Sequence, residues 1–501
     1  MHQYHYLACD LGAESGRVML GSLDDGRLEL TEIHRFANHP VGVLDSLYWN
    51  VLALWQEIKH GLGQVAAAHG RQLDGIAVDS WAQDFGLVDA RGDLLGLPHT
   101  YRDRRTRGIL GVLRRSASDW ELYQRTGLAG LEISTLGQLL AMRAQGSPAL
   151  GAAQALLFMP GLFTFWLSGQ QANDASMAGI SQMCNLSTGD WDREMLERVQ
   201  LPPTLPAPVV PTATPAGSLL KSVAQEVGLD PAPVIVTAGH DTAAAVAALP
   251  ERPIRGTEAD GQKTVTFISC ATWSVVGREL NRPLITRQAM ERRFLNEVGA
   301  CRRTLLAYNS AGLWPVQQWR RTWQRVGRDW SYPELTGLAH RALPFAALVD
   351  PDDPVFAQAG DALEQLATFC RRTRQPIPET PGSVVRAFLE SLALRYRKGV
   401  EDLAALTGRA AGAVHLIGGG SRNELLCQLT ADAARCPVLA GPAEATAIGT
   451  LLLQALARGR MSSLSQAREV VARSCRLVSY EPAGPAAAWD ERYAAFQRLG
   501  G

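Results

Sequence analysis

The sequence predicts an α/β protein built as two domains of similar size, and three observations carry that expectation. At 501 residues the chain exceeds what one hydrophobic core usually serves. Short apolar runs alternate with longer segments of helical periodicity, the pattern of strands packed against helices. Finally, a strand, small-residue turn and strand near the start, "YLACDLGAESGRVMLGSL", is matched in layout by "TVTFISCATWSVVGREL" at 264–280. That match points to two related halves, each opening on a hairpin.

Taken in order, the opening reads as a β-meander: "HYLACDLG", a glycine turn, "RVMLGSL", the turn Asp24-Asp25-Gly26, then "RLELTEIHRF". A helix follows, because Val51, Leu54, Trp55, Ile58 and Leu62 recur at spacings of three and four. "GIAVDSW" then reads as a buried strand. The most apolar stretch, "ALLFMPGLFTFWLSG" at 155–169, is shorter than the roughly 20 residues a bilayer requires. It is interrupted by Pro160 and Gly161, so it is expected in the core. The proline-rich segment 201–217 reads as a linker. In "VIVTAGHDTAAAVAAL" (234–249) a strand gives way to a helix with Asp241 at the junction, a favoured N-cap position. The second half supplies a long amphipathic helix with Ser383 as its N-cap and Gly408 past its end. After it come the strand "AVHLIG", the loop "GGSRN", the helix "ELLCQLTADAA", the strand "CPVLAG" and the helix "EATAIGTLLLQALARG".

Composition narrows the partners. Lys+Arg and Asp+Glu both number 49, so no net field collects nucleic acid or anionic membrane, and small molecules are the expected partners. The tryptophans of "WPVQQWRRTWQRVGRDW" sit at helical spacings, which favours an amphipathic helix over a nucleic-acid surface. Eight scattered cysteines without a CxxC pair fit a reducing cytoplasm. The start, MHQYHYLACD, lacks the regions of a signal peptide.

Three stretches could carry chemistry. Asp10 ends a strand, and Gly12 and Gly16 bracket a tight hairpin where bare N–H groups could approach phosphate and the carboxylate could hold magnesium through water. The same spacing suits an ordinary hairpin. "HLIGGGSRNELL" sets three glycines between a strand and a helix N-terminus, a seat for a nucleotide or a plain tight turn. "GTEADGQKT" at 256–264 is not a P-loop, since it has an extra residue before Lys263 and precedes a strand. Asp241 can cap its helix and can equally take a proton from a hydroxyl, kept ionised by the helix dipole.

Taken together, "DLGAESGRVML", "EIHRFAN", "LYWNVLALW", "VDSWAQDFGLVD", "YRDRRT", "GHDTAAAVAALP", "ATWSVVG", "IGGGSRNELLCQLTADA" and "GPAEATAIG" resemble the FGGY carbohydrate kinases, and within them the rhamnulokinases. The resemblance implies two ribonuclease-H-like domains of the actin/hexokinase type flanking an active-site cleft. It places a sugar-binding N-terminal domain at 1–245, a nucleotide-binding C-terminal domain at 246–485, and a helix or tail at 486–501. It implies ATP and Mg2+ as cofactors, and a ketose as substrate with L-rhamnulose foremost; L-fuculose, L-ribulose and xylulose are alternatives. Position by position, it makes Asp241 the catalytic base and faces Asp10 to the metal through water. The first phosphate loop becomes Gly12, Ala13, Glu14, Ser15, Gly16 and Arg17. Thr272 falls in the second phosphate loop, and Gln317 and Gly419 on the nucleotide side. Trp81, Ala82, Asp84, His240, Asp241, Thr242 and Asn309 fall on the sugar.

Two rival classes, a catalytically quiet sugar-binding relative and an actin-like assembly ATPase, fit less well. Asp10, Asp241, Thr272 and Gly419 are all retained, and the GHD and WxxD patterns belong to the sugar side. The departures gather on that sugar side. The TWGVD of rhamnulokinases stands here as Ser80-Trp81-Ala82-Gln83-Asp84, and a usual TNA as Ser176-Met177-Ala178. They predict a pocket altered at Ala82 and Met177, with L-rhamnulose not overwhelmingly preferred over other ketoses.

Overall fold

The computed structural model describes residues 3–251, 265–357 and 361–500. The 256–264 string therefore lies outside the described residues. Over the described part the chain forms two compact units, the first within Met1–Glu251, Glu279–Leu306 and Ala445–Ser474, the second within Arg252–Arg278, Ala307–Glu444 and Cys475–Gly501.

The expected meander is present as β1 (Tyr4–Leu11), β2 (Ser15–Asp24) and β3 (Arg27–Ala37), joined antiparallel. Helix α1 (Val51–Ala68) starts at Asn50, whose side chain accepts from the Ala53 N–H, and it buries Val51, Leu54, Ile58, Leu62 and Val65. Strand β4 (Gly75–Ser80) returns parallel beside β1 and sets Asp79 opposite Asp10. The apolar 155–169 stretch splits into a strand, Ala155–Phe158, and a helix, Met159–Ser168, both buried on the core side as expected. Helices α2 (Thr135–Ala144) and α3 (Ala175–Ile180) belong to the same excursion of the chain.

The proline-rich segment differs from expectation. Its end forms β5 (Thr214–Ser218), the edge strand of the first sheet, antiparallel to β6 (Pro233–Val236). An edge position tolerates Pro215 because no ladder N–H is demanded on its open side. Helix α4 (Asp241–Ala247) follows β6.

The second hairpin is β7 (Thr266–Cys270) and β8 (Trp273–Leu280), followed by β9 (Leu295–Val298), β10 (Thr304–Ala311) and α5 (Trp314–Arg325). The long helix α6 (Pro381–Thr407) starts three residues earlier than read from sequence. Thr380 is its N-cap and Ser383 completes a capping box at N3, while Gly408 ends it with a positive φ of 70°. Then come β11 (Val414–Ile417), α7 (Glu424–Ala434), β12 (Val438–Ala440), α8 (Ala445–Ala457), α9 (Leu464–Ser474), β13 (Val478–Tyr480) and α10 (Ala486–Gln497).

The internal repeat is visible in strand order. The first sheet runs β3-β2-β1-β4-β6-β5, and the second runs β10-β8-β7-β11-β12-β13 with β9 added at one end. In each, a hairpin strand pairs antiparallel with its successor and parallel with a strand far along the chain. Within the first unit α8 lies directly on α4: a Cβ on Gly449 would come within 1.8 Å of the Ala244 carbonyl oxygen. The fully buried Arg468 of α9 donates to the Val246 and Ala247 carbonyls at the C-terminus of α4 and to Glu251 and Glu279. A cation there complements the negative end of the helix dipole, so α4 is fixed at its far end as well as along its side.

Candidate active site

Asp10 ends β1 almost fully buried, and across the hairpin Arg17 donates to it at 2.5 Å. The turn between them is closed by the Gly12 N–H on the Ser15 carbonyl, while Asn38 donates to the Gly12 and Glu14 carbonyls. Gly16 has no room for a side chain, since a Cβ would meet the Phe36 ring at 2.2 Å. Arg17 thus serves Asp10 as well as belonging to the loop. Asp79, which sequence reading passed over, is wholly buried next to Asp10. Thr450 of α8 donates to its Oδ2 at 2.6 Å, and its Oδ1 has no hydrogen-bond partner. Burial, then the neighbouring Asp10 charge, raises its pKa well above the carboxylate range.

Asp241 stands at the head of α4, one position inside the expected cap. The N-cap is His240, whose extended backbone (φ −77°, ψ 118°) ends the preceding segment. The shift follows from how that segment is pinned: the Ser80 N–H donates to the Gly239 carbonyl, and the His240 N–H donates to Ser176 Oγ. Ser176 in turn hydrogen-bonds the buried Asp174, which caps α3. Gly239 must be glycine, because a Cβ would lie 2.3 Å from Asp174 Oδ2. The chain is already helical at Asp241, whose Oδ1 accepts from the Thr242 N–H at 2.6 Å and from Thr242 Oγ1 at 3.2 Å. The Asp241 side chain keeps 38% exposure, whereas His240 and Thr242 are buried. His240 Nε2 lies 3.5 Å from Asp241 Oδ1, and its Nδ1 lies 3.7 Å from Oε2 of Glu297, a buried carboxyl on β9.

Two expectations for the sugar side change. Asp84 is fully buried and accepts from Trp49 Nε1 (2.6 Å), Trp81 Nε1 (2.9 Å) and Gln138 Nε2 of α2 (2.9 Å). It therefore stands behind Trp81 and fixes that ring, not open to a ligand. Burial pushes its pKa up to about 6 against these three donors. Met177 is fully buried in a hydrophobic cluster with Phe85, Leu136, Leu139 and Phe158. It is a core residue, not a pocket wall, because Ser176 takes the position that faces His240 and the helical turn sends the next side chain inward. Ala82 is half-buried beside Trp81. Gln83, buried with a positive φ of 79°, locks to α2 through Thr135, which donates to its side chain and carbonyl.

The second unit gathers the remaining candidates. Thr272 lies in the turn of the second hairpin, closed by the Ala271 N–H on the Trp273 carbonyl. Gly418 (φ 76°) and Gly420 press on Cys270, where a Cβ would lie 2.9 Å from its carbonyl oxygen and 2.3 Å from its sulfur respectively. Among the described residues, a Cβ on Gly419 between them would meet no protein atom within 4 Å, so this loop offers bare backbone over open space. Asn309 is exposed on β10 while its neighbours face inward to Asp352, which accepts from Tyr308 Oη, Ser310 Oγ, the Ala311 N–H and Arg395 Nε. On α5, Gln317 Oε1 is buried without a partner among the described residues, an acceptor awaiting a donor. Among the described residues no cluster of three or more His, Cys, Asp or Glu could hold a metal ion.

The repeated sheet order defines the class first: this is a two-domain α/β fold of the actin/hexokinase type. Gluconate kinase from Lactobacillus acidophilus superposes with a TM-score of 0.78 at 14% identity, covering 99% of this chain and 96% of that one. Xylulose kinase from Rhodospirillum rubrum superposes at 0.77 and 17% identity, covering 99% and 98%. The chain belongs to the FGGY family of carbohydrate kinases, whose N-terminal domain model matches residues 5–248 and whose C-terminal domain model matches 266–458. It is 38% identical over 493 residues to a rhamnulokinase of Bacteroides thetaiotaomicron, covering 98% of this chain and 99% of the relative. It is 33% identical over 477 residues to a rhamnulokinase of Bacillus subtilis strain 168, covering 95% of each. The protein is an ATP-dependent sugar kinase, with a sugar and ATP as its small-molecule partners. No helix among the described residues is long and apolar enough to cross a membrane.

Proposed function

We propose that the protein phosphorylates a ketose hydroxyl, with L-rhamnulose as substrate and L-rhamnulose 1-phosphate as product, in the cytoplasm. The sugar rests on end-to-end similarity to relatives named rhamnulokinase. The chemistry rests on one observation: Asp241 is a partly exposed carboxylate at a helix N-terminus, with Oδ1 already engaged by Thr242. In this reading its Oδ2 takes the hydroxyl proton as the sugar oxygen attacks the γ-phosphoryl group. Phosphoryl transfer requires mainly positioning and charge stabilisation.

Gly12, Ala13, Glu14, Ser15, Gly16 and Arg17, with Thr272, are assigned to the phosphates. Gly419 and Gln317 are assigned to the nucleotide, supported by the open space at the one and the orphaned oxygen of the other. Trp81, Ala82, His240, Thr242 and Asn309 are assigned to the sugar. Asp10, held by Arg17, would hold the magnesium ion of ATP through water. Residues 1–245 carry the base, the first phosphate loop and the sugar contacts other than Asn309, and 246–485 carry Asn309 and the rest of the nucleotide function, followed by a C-terminal helix in 486–501.

Because Met177 is core, Ala82 alone is left as ground for a relaxed sugar preference. ATP-dependent phosphorylation of L-rhamnulose, L-fuculose, L-ribulose and D- and L-xylulose tests the proposal, with the highest kcat/KM expected for L-rhamnulose. A higher value for another ketose would reassign the substrate, and no turnover of any would remove the ketose reading.

A further inference from the structure

We propose that Glu297 is a positioning residue for phosphotransfer: through His240 it keeps an imidazole N–H turned on Asp241 Oδ1, so that Oδ2 is the oxygen left to the sugar hydroxyl. The inference rests on the reading of Asp241 given above.

Glu297 is 2% and His240 7% exposed. Glu297 Oε2 and His240 Nδ1 are both closed off from solvent without a hydrogen-bond partner among the described residues, and they face each other at 3.7 Å. Two orphaned buried polar atoms so placed belong to one interaction, since leaving either unpaired is costly. The glutamate has little freedom to look elsewhere. On either side of it along β9, Asn296 donates to Tyr123 Oη, and Val298 packs where a Cβ on Gly179 of α3 would stand. Alternation along the strand sends Glu297 the other way.

A proton count fixes the tautomer. Ionised Asp241 only accepts, so the imidazole nitrogen facing its Oδ1 must carry the proton. Nδ1 and Glu297 Oε2 then meet without repulsion when they share a single proton. It sits either on the carboxyl, pointing at a bare Nδ1, or on Nδ1, pointing at a carboxylate. Both forms leave the Glu297–His240 pair with no net charge in a buried place, and both present Nε2–H to Asp241. Burial raises the Glu297 pKa, with His240 opposing the rise and the Asp241 charge adding to it. With His240 in place, Oδ1 is faced by three donors, two from Thr242 and one from the imidazole. At 3.5 and 3.7 Å neither imidazole contact is yet a formed hydrogen bond. Both close with a shift of about 0.5–1 Å of the kind that accompanies substrate binding.

The test compares Glu297→Gln, whose amide N–H can still donate to Nδ1, with Glu297→Met, which fills the same length and cannot. Glu297→Gln should keep kcat within about threefold of the unmodified enzyme. Glu297→Met should lose roughly 10- to 100-fold in kcat with little change in KM for the sugar. Imidazole nitrogen NMR on histidine-labelled protein reads the cause directly, with the His240 signals assigned by their disappearance in His240→Gln. A protonated Nε2 is expected in the unmodified enzyme and in Glu297→Gln, and mixed tautomers in Glu297→Met. A bare Nε2 in the unmodified enzyme overturns the proposal, as does full turnover by folded Glu297→Met; if that variant does not fold, the NMR arm on the other two still decides. Failure of the underlying reading appears separately, as turnover by Asp241→Asn.

Discussion

Asp241 divides its two oxygens between the helix and the reaction, and that division makes the simplest test. Asp241→Asn retains an oxygen for the Thr242 N–H, so the variant should fold and bind ATP normally. It should lose on the order of 10²- to 10⁴-fold in kcat, measured by steady-state assay beside an ATP-binding titration, because an amide takes no proton. Asp84 makes a different, pH-dependent prediction. Its pKa rises from 3.8 to about 6 on folding, so between those values the folded chain holds a proton that the unfolded chain has released. Stability contributed by this group is present below pH 4 and lost as pH rises through 6, by about 3 kcal/mol at 1.36 kcal/mol per unit. Asp84→Asn should lack that slope in denaturant unfolding followed from pH 4 to 7. Asp10 and Asp241 were legible in the sequence because each ends an apolar run, where side chains emerge from a sheet. Glu297 and Asp79 were not: "GIAVDS" read only as a buried strand until its pairing set Asp79 opposite Asp10, and "FLNEV" carried no signal of its own until the fold set Glu297 against His240.

At the level of loops and helices, glycine placement separates packing from binding. Gly418 and Gly420 are required by Cys270, but Gly419 faces no protein atom. Gly419→Val should therefore leave the melting temperature nearly unchanged and raise KM for ATP well beyond any rise in KM for the sugar. Equal rises in both would take the loop out of the nucleotide site. Helix α3 gives the opposite case. Met177→Asn would bury an amide in an apolar cluster, costing about 1–3 kcal/mol, and thermal melting should show that loss without a shift in sugar preference. Periodicity had placed the long helix and the meander well, because both depend on local pattern. It misjudged the proline-rich stretch and Met177 because edge pairing and burial are decided by distant residues.

For the molecule as a whole, the repeated strand order was legible only as two hairpins of like layout, since the strands completing each sheet come from far along the chain. All eight cysteines are unpaired, six of them buried, with Cys475 half-buried and Cys301 exposed. A thiol reagent should modify Cys301 before the buried six, which should react only after denaturant is added, because access separates them: burial raises the thiol pKa of Cys301 as well as theirs. The bond from Thr450 to Asp79 has a consequence for biosynthesis. Its partners are 371 residues apart, and at about 5–20 residues per second the ribosome reaches Thr450 some 20–75 s after Asp79. Through that interval the nascent first sheet carries a carboxyl without its hydroxyl donor and lacks the helix that covers α4, so its closing step must wait until Thr450 and its helix have been made.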